Sequence, residues 1–438
     1  MSSQSDRNEP RSRAGIAFST NGYRVLAVAC IALIIAGRAA SGQAAATVQQ
    51  ITHGPKNHLF GYVGHGGTIP WNASGQYIVG LRTDFHDRMP KPDESAEIVV
   101  IDTRNRFRVE VVDRTRAWNL QQGTMLFWIP GAADSQFLFN DKEPETGVVF
   151  SVLYDIKDRR RVREFRFGNE SIANGGVSPI RDEFAGINYG KITRSREVIS
   201  YPGAYDHTAD ENPANPDFDG LFRIDIRTGE RHLLVSYSQL SGLILNTEKN
   251  RSRLGDPDRY PIYVHHTMWS RDGEWIFFLV RGKQNKRPDQ SCVIRRDGTG
   301  LSKVPYAGHP EWSAKNELIL GSKKPEHAGA FNLWDITAGK WSGTIGARGV
   351  FPDTIDDNAL SPDTKWYVGS QKRGDRCYYT FYRFADGHSF ESPPVPTKAG
   401  GGTVRIDPAP RWSRTSDTIL VPGLADDGTR QLFLVRLR

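Results

Sequence analysis

The chain has 438 residues, 43 of them glycine and 25 proline, with 11 % aromatics and only four methionines. That length buries a large core, and so many turn formers among aromatics suit short strands rather than helices, which would need a long apolar 3.6-residue period that the chain lacks. The formal charge of +7 falls towards neutrality without Arg7, Arg11, Arg13, Arg24 and Arg38, which excludes nucleic acid as a partner and leaves local arginine clusters for an acidic glycan.

Four of those arginines precede a 13-residue apolar run, Val25 to Gly37, and a small-residue stretch ending Gln43-Ala44-Ala45-Ala46. This is the layout of a secretory signal, residues 1–46, with cleavage near Ala46. The run falls short of the roughly 20 residues of a membrane span; an uncleaved anchor is the competing reading. No second hydrophobic span follows, so the expectation is an exported protein, periplasmic or secreted, whose mature chain does not cross a membrane. Cys30 lies in the signal, and Cys292 and Cys377 fall in non-adjacent repeats, where they are expected as free buried thiols.

From residue 47 a pattern recurs: a buried aromatic, a tight Ser/Asp/Gly turn and a short strand rich in β-formers. The first unit holds Ile69 to Val79, Glu97 to Asp102 and Phe107 to Val112; the second starts at Met125 and the third at Gly176-Val177-Ser178-Pro179. The fourth is the clearest, His265-His266-Thr267-Met268-Trp269-Ser270-Arg271-Asp272-Gly273 before Trp275 to Val280. The fifth opens His309-Pro310-Glu311-Trp312-Ser313, the sixth Ala359-Leu360-Ser361-Pro362-Asp363 and the seventh Pro410-Arg411-Trp412-Ser413-Arg414. Seven units of about forty residues, each signalling a four-stranded antiparallel sheet that cannot bury both faces alone, predict an all-β, seven-bladed β-propeller over 47–438. The segment His58 to Val63 is expected to add a strand to the last blade and close the ring, and the stretches Ser195 to Pro216 and Thr247 to Tyr260 to be loops over one face.

Several of these motifs resemble the TolB-like propellers, whose blades open His-Pro-x-Trp-Ser-Pro-Asp-Gly. More specifically, Pro70-Trp71-Asn72-Ala73-Ser74-Gly75, Asp84 to Pro90, Arg116 to Leu126 and His265 to Trp269 resemble the oligogalacturonate-lyase-type propellers and related propeller polysaccharide lyases. The resemblance implies β-elimination on a uronic-acid glycan. In those lyases a histidine of this blade is the base, which makes His265 or His266 the candidate here. It also implies a tyrosine and an arginine in the third blade, matched by Tyr189 and Arg194, and a metal histidine in the fifth, matched by His309. Two further metal histidines are replaced, by the stretches Asp356-Asp357-Asn358 and Asp407-Pro408-Ala409. Asp356 and Asp357 then offer oxygen ligands, which suit a hard divalent cation such as Ca²⁺ or Mn²⁺.

The chemistry needs a group to neutralise the sugar carboxylate, a base for the C5 proton and an acid for the leaving oxygen. Arg116 offers a bidentate match to a carboxylate, Trp118 an aromatic face for a sugar ring, and Gln121 and Gln122 planar donors; His58, Trp71 and Arg82 are further substrate-binding candidates. The bland alternatives are that the histidines pack beneath a blade and that residues 116–122 simply join two blades. Asn215 to Gly220 resembles a calcium loop but has Ile226 at the twelfth position, so an exposed turn is the reading there. The partner expected is an acidic oligosaccharide or polysaccharide. The alternative is a propeller that has lost catalysis and binds such a glycan or a protein.

Overall fold

The computed structural model describes residues 45–438 apart from 61–66, 283–287, 289, 306–308, 323–325 and 399–401. The expected signal lies outside the described residues except for Ala45 and Ala46. Seven antiparallel sheets follow one another along the chain, six of four strands and one with an added fifth. Each blade is laid down from its innermost strand outwards. The innermost strands are Asn57–Leu59, Phe127–Trp128, Ile172–Val177, Tyr263–Trp269, Glu311–Trp312, Asn358–Leu360 and Arg411–Trp412.

Closure differs from the expectation. The outermost strand of blade 7 is Ala46–Gln50, paired antiparallel with Arg430–Leu437 from Ala46 opposite Leu437 to Gln50 opposite Phe433. His58 instead belongs to the innermost strand of blade 1, opposite Arg82. The amphipathic segment 46–50 had the right alternation, but it stands beside the apolar N-terminal run, which hides a short strand in the sequence.

The Trp-Ser motif is a rivet and a turn. The indole Nε1 groups of Trp128, Trp269, Trp312 and Trp412 donate to Pro70 O (2.7 Å), Gly176 O (2.9 Å), Met268 O (3.1 Å) and Ala359 O (3.2 Å), each on the preceding blade. The serine then closes the turn: Ser270 Oγ accepts from Trp275 N at 2.9 Å, and Ser361 Oγ from Trp366 N at 2.9 Å. Three residues past this position the backbone is left-handed, with φ between 60° and 70° at Gly75, Gly273, Asn316, Thr364 and Ser416. Gly and Asn suit that conformation best, yet Thr364 and Ser416 adopt it too, so the turn persists where its sequence signature fades. The hydrophobic core lies between blades, as where Met268, Phe277 and Leu279 of blade 4 meet Trp312, Leu318 and Leu320 of blade 5.

Among the described residues three α-helices occur: α1 Tyr189–Arg196, whose last two residues begin the expected loop Ser195 to Pro216, α2 Tyr237–Ile244, outside both expected loops, and α3 Glu248–Leu254, inside the expected loop Thr247 to Tyr260. Their N-caps, Asn188, Ser236 and Thr247, each accept from a backbone N–H three residues on. At two or three turns apiece they are too short to show an apolar period. Cys292 and Cys377 are free and buried. Among the described residues no helix is long and apolar enough to cross a membrane.

Candidate functional site

The innermost strands begin at one end of the axis, and the strand 2 to strand 3 loops and blade-to-blade connections gather there too. Over this end the blade-3 insertion, from α1 to Gly220, folds back across blade 2. Asn119 Nδ2 donates to Ser200 O at 2.7 Å, Asn140 Nδ2 to Tyr201 Oη at 3.0 Å and Lys142 Nζ to Pro202 O, while Tyr205 N donates to Gly147 O at 2.9 Å. A Cβ on Gly190 would stand 1.9 Å from Tyr205 O, so only glycine admits this path.

His265 and His266 lie under the insertion. His265 is 3 % exposed, touches the Ile199 backbone and has its Nδ1 hydrogen-bonded to His266 Nδ1. Burial, reinforced by Arg281 and Arg196, holds its pKa well below the ordinary histidine value. His266 sits at a bulge in its strand with φ +54°, a conformation a ring-bearing residue adopts only where the surroundings impose it. An NMR pH titration is expected to show the His265 imidazole still neutral well below the free histidine value near 6.5; a midpoint at or above that value would mean the insertion does not seal it.

The other sequence-derived candidates are spread out. Tyr189, 2 % exposed, donates to Asn174 O at 2.7 Å and stacks on Tyr201 at 4.5 Å; Arg194 pairs with Asp206 at 2.8 Å. Both therefore fix the insertion. Trp118 is core, 1 % exposed, with Nε1 donating to Glu94 O at 2.9 Å. Arg116 is half-buried, its backbone N–H held by Asp141 Oδ1 at 2.9 Å. Asn119 Oδ1 accepts from the backbone N–H groups of Gln121 (2.8 Å) and Gln122 (2.6 Å). His58 bonds Gln431 at 2.8 Å, and burial pushes its pKa down to about 4. Arg82 pairs with Glu97 at 2.7 Å. Trp71 stands at the opposite end of the axis, buried, its carbonyl accepting from Arg414 Nε at 3.0 Å.

What does converge is a charged cluster on the connections entering blades 5, 6 and 7. His309 Nδ1 bonds Ile355 O at 2.9 Å, and its Nε2 lies 3.8 Å from Asp357 Oδ1. Asp357 Oδ2 accepts from Ala409 N at 3.1 Å, and Asp407 pairs with Arg405 at 2.6 Å. With its amide turned towards the guanidinium, Gln121 accepts from Arg405 Nη2 at 3.2 Å, which ties the blade 1 to 2 connection into the cluster. Lys372 Nζ donates to Ile406 O, and the buried Arg430 donates to Leu120 O at 3.1 Å.

Desolvation and then the neighbouring Asp357 push the Asp356 carboxyl up to about 7, against the pull of Lys372 and His309. Burial lowers the His309 pKa, but Asp357, the Ile355 carbonyl, Asp407 and Asp356 outweigh it and raise it. A carboxyl raised to about 7 and an imidazole raised above its ordinary value thus belong to one cluster, and the His309 side chain is 31 % exposed. Arg405, Lys372 and Arg430 had no sequence signal, since nothing in the chain shows that the connections before blades 6 and 7 face each other. As a metal centre the set is incomplete: among the described residues no group of three or more His, Cys, Asp or Glu is gathered as ligands. One oxygen of Asp357 and one of Asp407 are already taken by protein donors. The residues present do not fit a divalent cation.

No sequence-family model and no curated sequence matches the chain. In structure it is similar to an oligogalacturonate lyase in complex with manganese, with TM-score 0.54 and 14 % identity over 91 % of this chain and 94 % of that one. An oligogalacturonate lyase from Vibrio parahaemolyticus gives TM-score 0.55 and 11 % identity over the same shares. TolB from Acinetobacter baumannii gives 0.39 and 11 % over 83 % of this chain and 82 % of that one. At these identities the likeness is one of fold, and the chain is a seven-bladed propeller of the architecture the oligogalacturonate lyases carry.

Proposed function

We propose that this is an exported lyase cutting uronic-acid-containing oligosaccharides by β-elimination, with its reacting groups in the His309, Asp356 and Lys372 cluster rather than in the His265–His266 pair. The observation that carries the reading is the Asp356 carboxyl at about 7 in one cluster with the partly exposed His309. A group with a pKa near the working pH is the most effective proton carrier. Asp356, ionised, takes the C5 proton, protonated His309 supplies one to the leaving oxygen, and Lys372 neutralises the sugar carboxylate. The likeness to oligogalacturonate lyases supports the substrate class, and the signal-like N-terminus supports export.

The test is absorbance of the unsaturated uronate product, with purified protein and a panel of oligouronates and polyuronates. The rate is expected to rise through about pH 7 as Asp356 ionises. Asp356→Asn is expected to lower kcat by about 10²–10⁴ and to abolish that rise. Activity unchanged in Asp356→Asn but lost in His266→Ala would return the base to the histidine pair. The sealed His265 and the incomplete ligand set favour a second reading, a glycan-binding propeller without turnover. Saturable uronate binding with no product on any substrate would establish it.

A further inference from the structure

At the far end of the axis from His309, where the innermost strands finish, all seven blades line an open cavity of about 530 Å³. That is within the roughly 300–1,000 Å³ of small-molecule sites. Its polar groups are few and specific. Glu311 is 2 % exposed; one carboxylate oxygen accepts from Trp312 N at 2.7 Å, but Oε2 has no hydrogen-bond partner. Thr68 Oγ1, 9 % exposed, also has none. The two come from facing blades, for a Cβ built on Gly67 would lie 3.8 Å from Glu311 Oε1. Buried acceptors left unpaired cost free energy that a ligand or water recovers.

Two arginines complete the lining. Arg271 crosses from blade 4 to blade 6, donating to Leu360 O at 2.8 Å and Ser361 O at 3.2 Å. Arg414 spends its Nε on Trp71 O and Asn72 O, at 3.0 and 2.8 Å. The walls between are apolar, with Phe127, Trp128 and Met268 among them. A small cation at Glu311 would meet these arginines, and a small anion at the arginines would meet Glu311. A hydroxyl suffers neither conflict, because it donates to Glu311 or Thr68 while accepting from a guanidinium.

We propose that this axial cavity is a binding site for a neutral saccharide, independent of the His309 cluster, in which sugar hydroxyls pair with Glu311 Oε2 and Thr68 Oγ1 and the ring lies against the aromatic wall. Intrinsic tryptophan fluorescence and calorimetry test it, with glucose, galactose, N-acetylglucosamine and their disaccharides titrated into the full chain. Methylammonium and acetate serve as charged probes. At least one neutral sugar is expected to bind saturably. Glu311→Gln and Thr68→Val are each expected to weaken it by about fivefold or more, the value of one hydrogen bond, while His309→Ala leaves it unchanged. Thermal unfolding checks that each variant folds; if Glu311→Gln does not, the wild-type titration and Thr68→Val decide. The proposal is overturned if no neutral sugar saturates at millimolar concentration, so that water alone fills the cavity. It is equally overturned if binding survives both substitutions, or if methylammonium binds and Glu311→Gln abolishes that binding.

Discussion

Replacing Trp312 with alanine is expected to lower the unfolding free energy by about 3–5 kcal/mol, read as a fall in denaturant midpoint at unchanged slope. The indole is 1 % exposed and packs among Met268, Phe277, Leu318 and Leu320, so its removal leaves a cavity between blades 4 and 5. It also strips Met268 O of its donor. Trp312→Phe separates the two effects: it retains most of the volume and loses only the N–H, at about 1–2 kcal/mol. A loss below about 1 kcal/mol for the alanine variant would mean that the tryptophans do not hold the blades together.

The protein is also expected to become more stable between about pH 7.5 and 9.5, by about 2–4 kcal/mol in total, since each tenfold change in proton affinity on folding is worth about 1.4 kcal/mol. Lys142 and Lys191 are 3 % and 0 % exposed, and burial lowers each pKa from 10.5 to about 8. Between those values the unfolded chain keeps protons that the folded one has released, so stability rises with pH. Their acceptors are mainly neutral: Pro202 O for Lys142, Ala214 O at 2.7 Å and Thr208 Oγ1 at 3.1 Å for Lys191. An uncharged amine keeps such bonds. Above pH 10 the trend reverses, because burial raises the Tyr201 pKa and the unfolded tyrosine ionises first. Thermal midpoints across this range check it. Lys142→Met and Lys191→Met should each remove part of the rise, and a flat or falling wild-type profile would show that these amines are not desolvated as placed.

Both lysines grip the blade-3 insertion, the part of the molecule least legible in the chain. Asn119, Asn140 and Lys142 read as ordinary loop and strand residues; their meaning comes from Ser200, Tyr201 and Pro202, some sixty to eighty positions away. The same distance explains the candidate site. His309 and Asp357 were recognisable from the motifs around them. Asp356 was legible only as an oxygen ligand; its raised pKa was not, because it depends on burial and on Asp357, Lys372 and His309 together. Tyr189, Arg194 and Trp118 had suitable chemistry, but each spends it on a buried structural partner.

By itself the sequence determined the blade count, the order of the strands and the Trp-Ser turn, because each depends on residues within one forty-residue unit and on a period-2 pattern that burial imposes locally. It also placed Cys292 and Cys377 as free thiols, since non-adjacent blades cannot bring them together. Only the tertiary structure decided that Ala46–Gln50 closes the ring, that the insertion seals His265, and that Gln121, Arg405 and His309 share one end of the axis. These are pairings between segments far apart in the chain, and solvent exclusion, which sets both the hydrogen-bond partners and the proton affinities, exists only once the ring is closed.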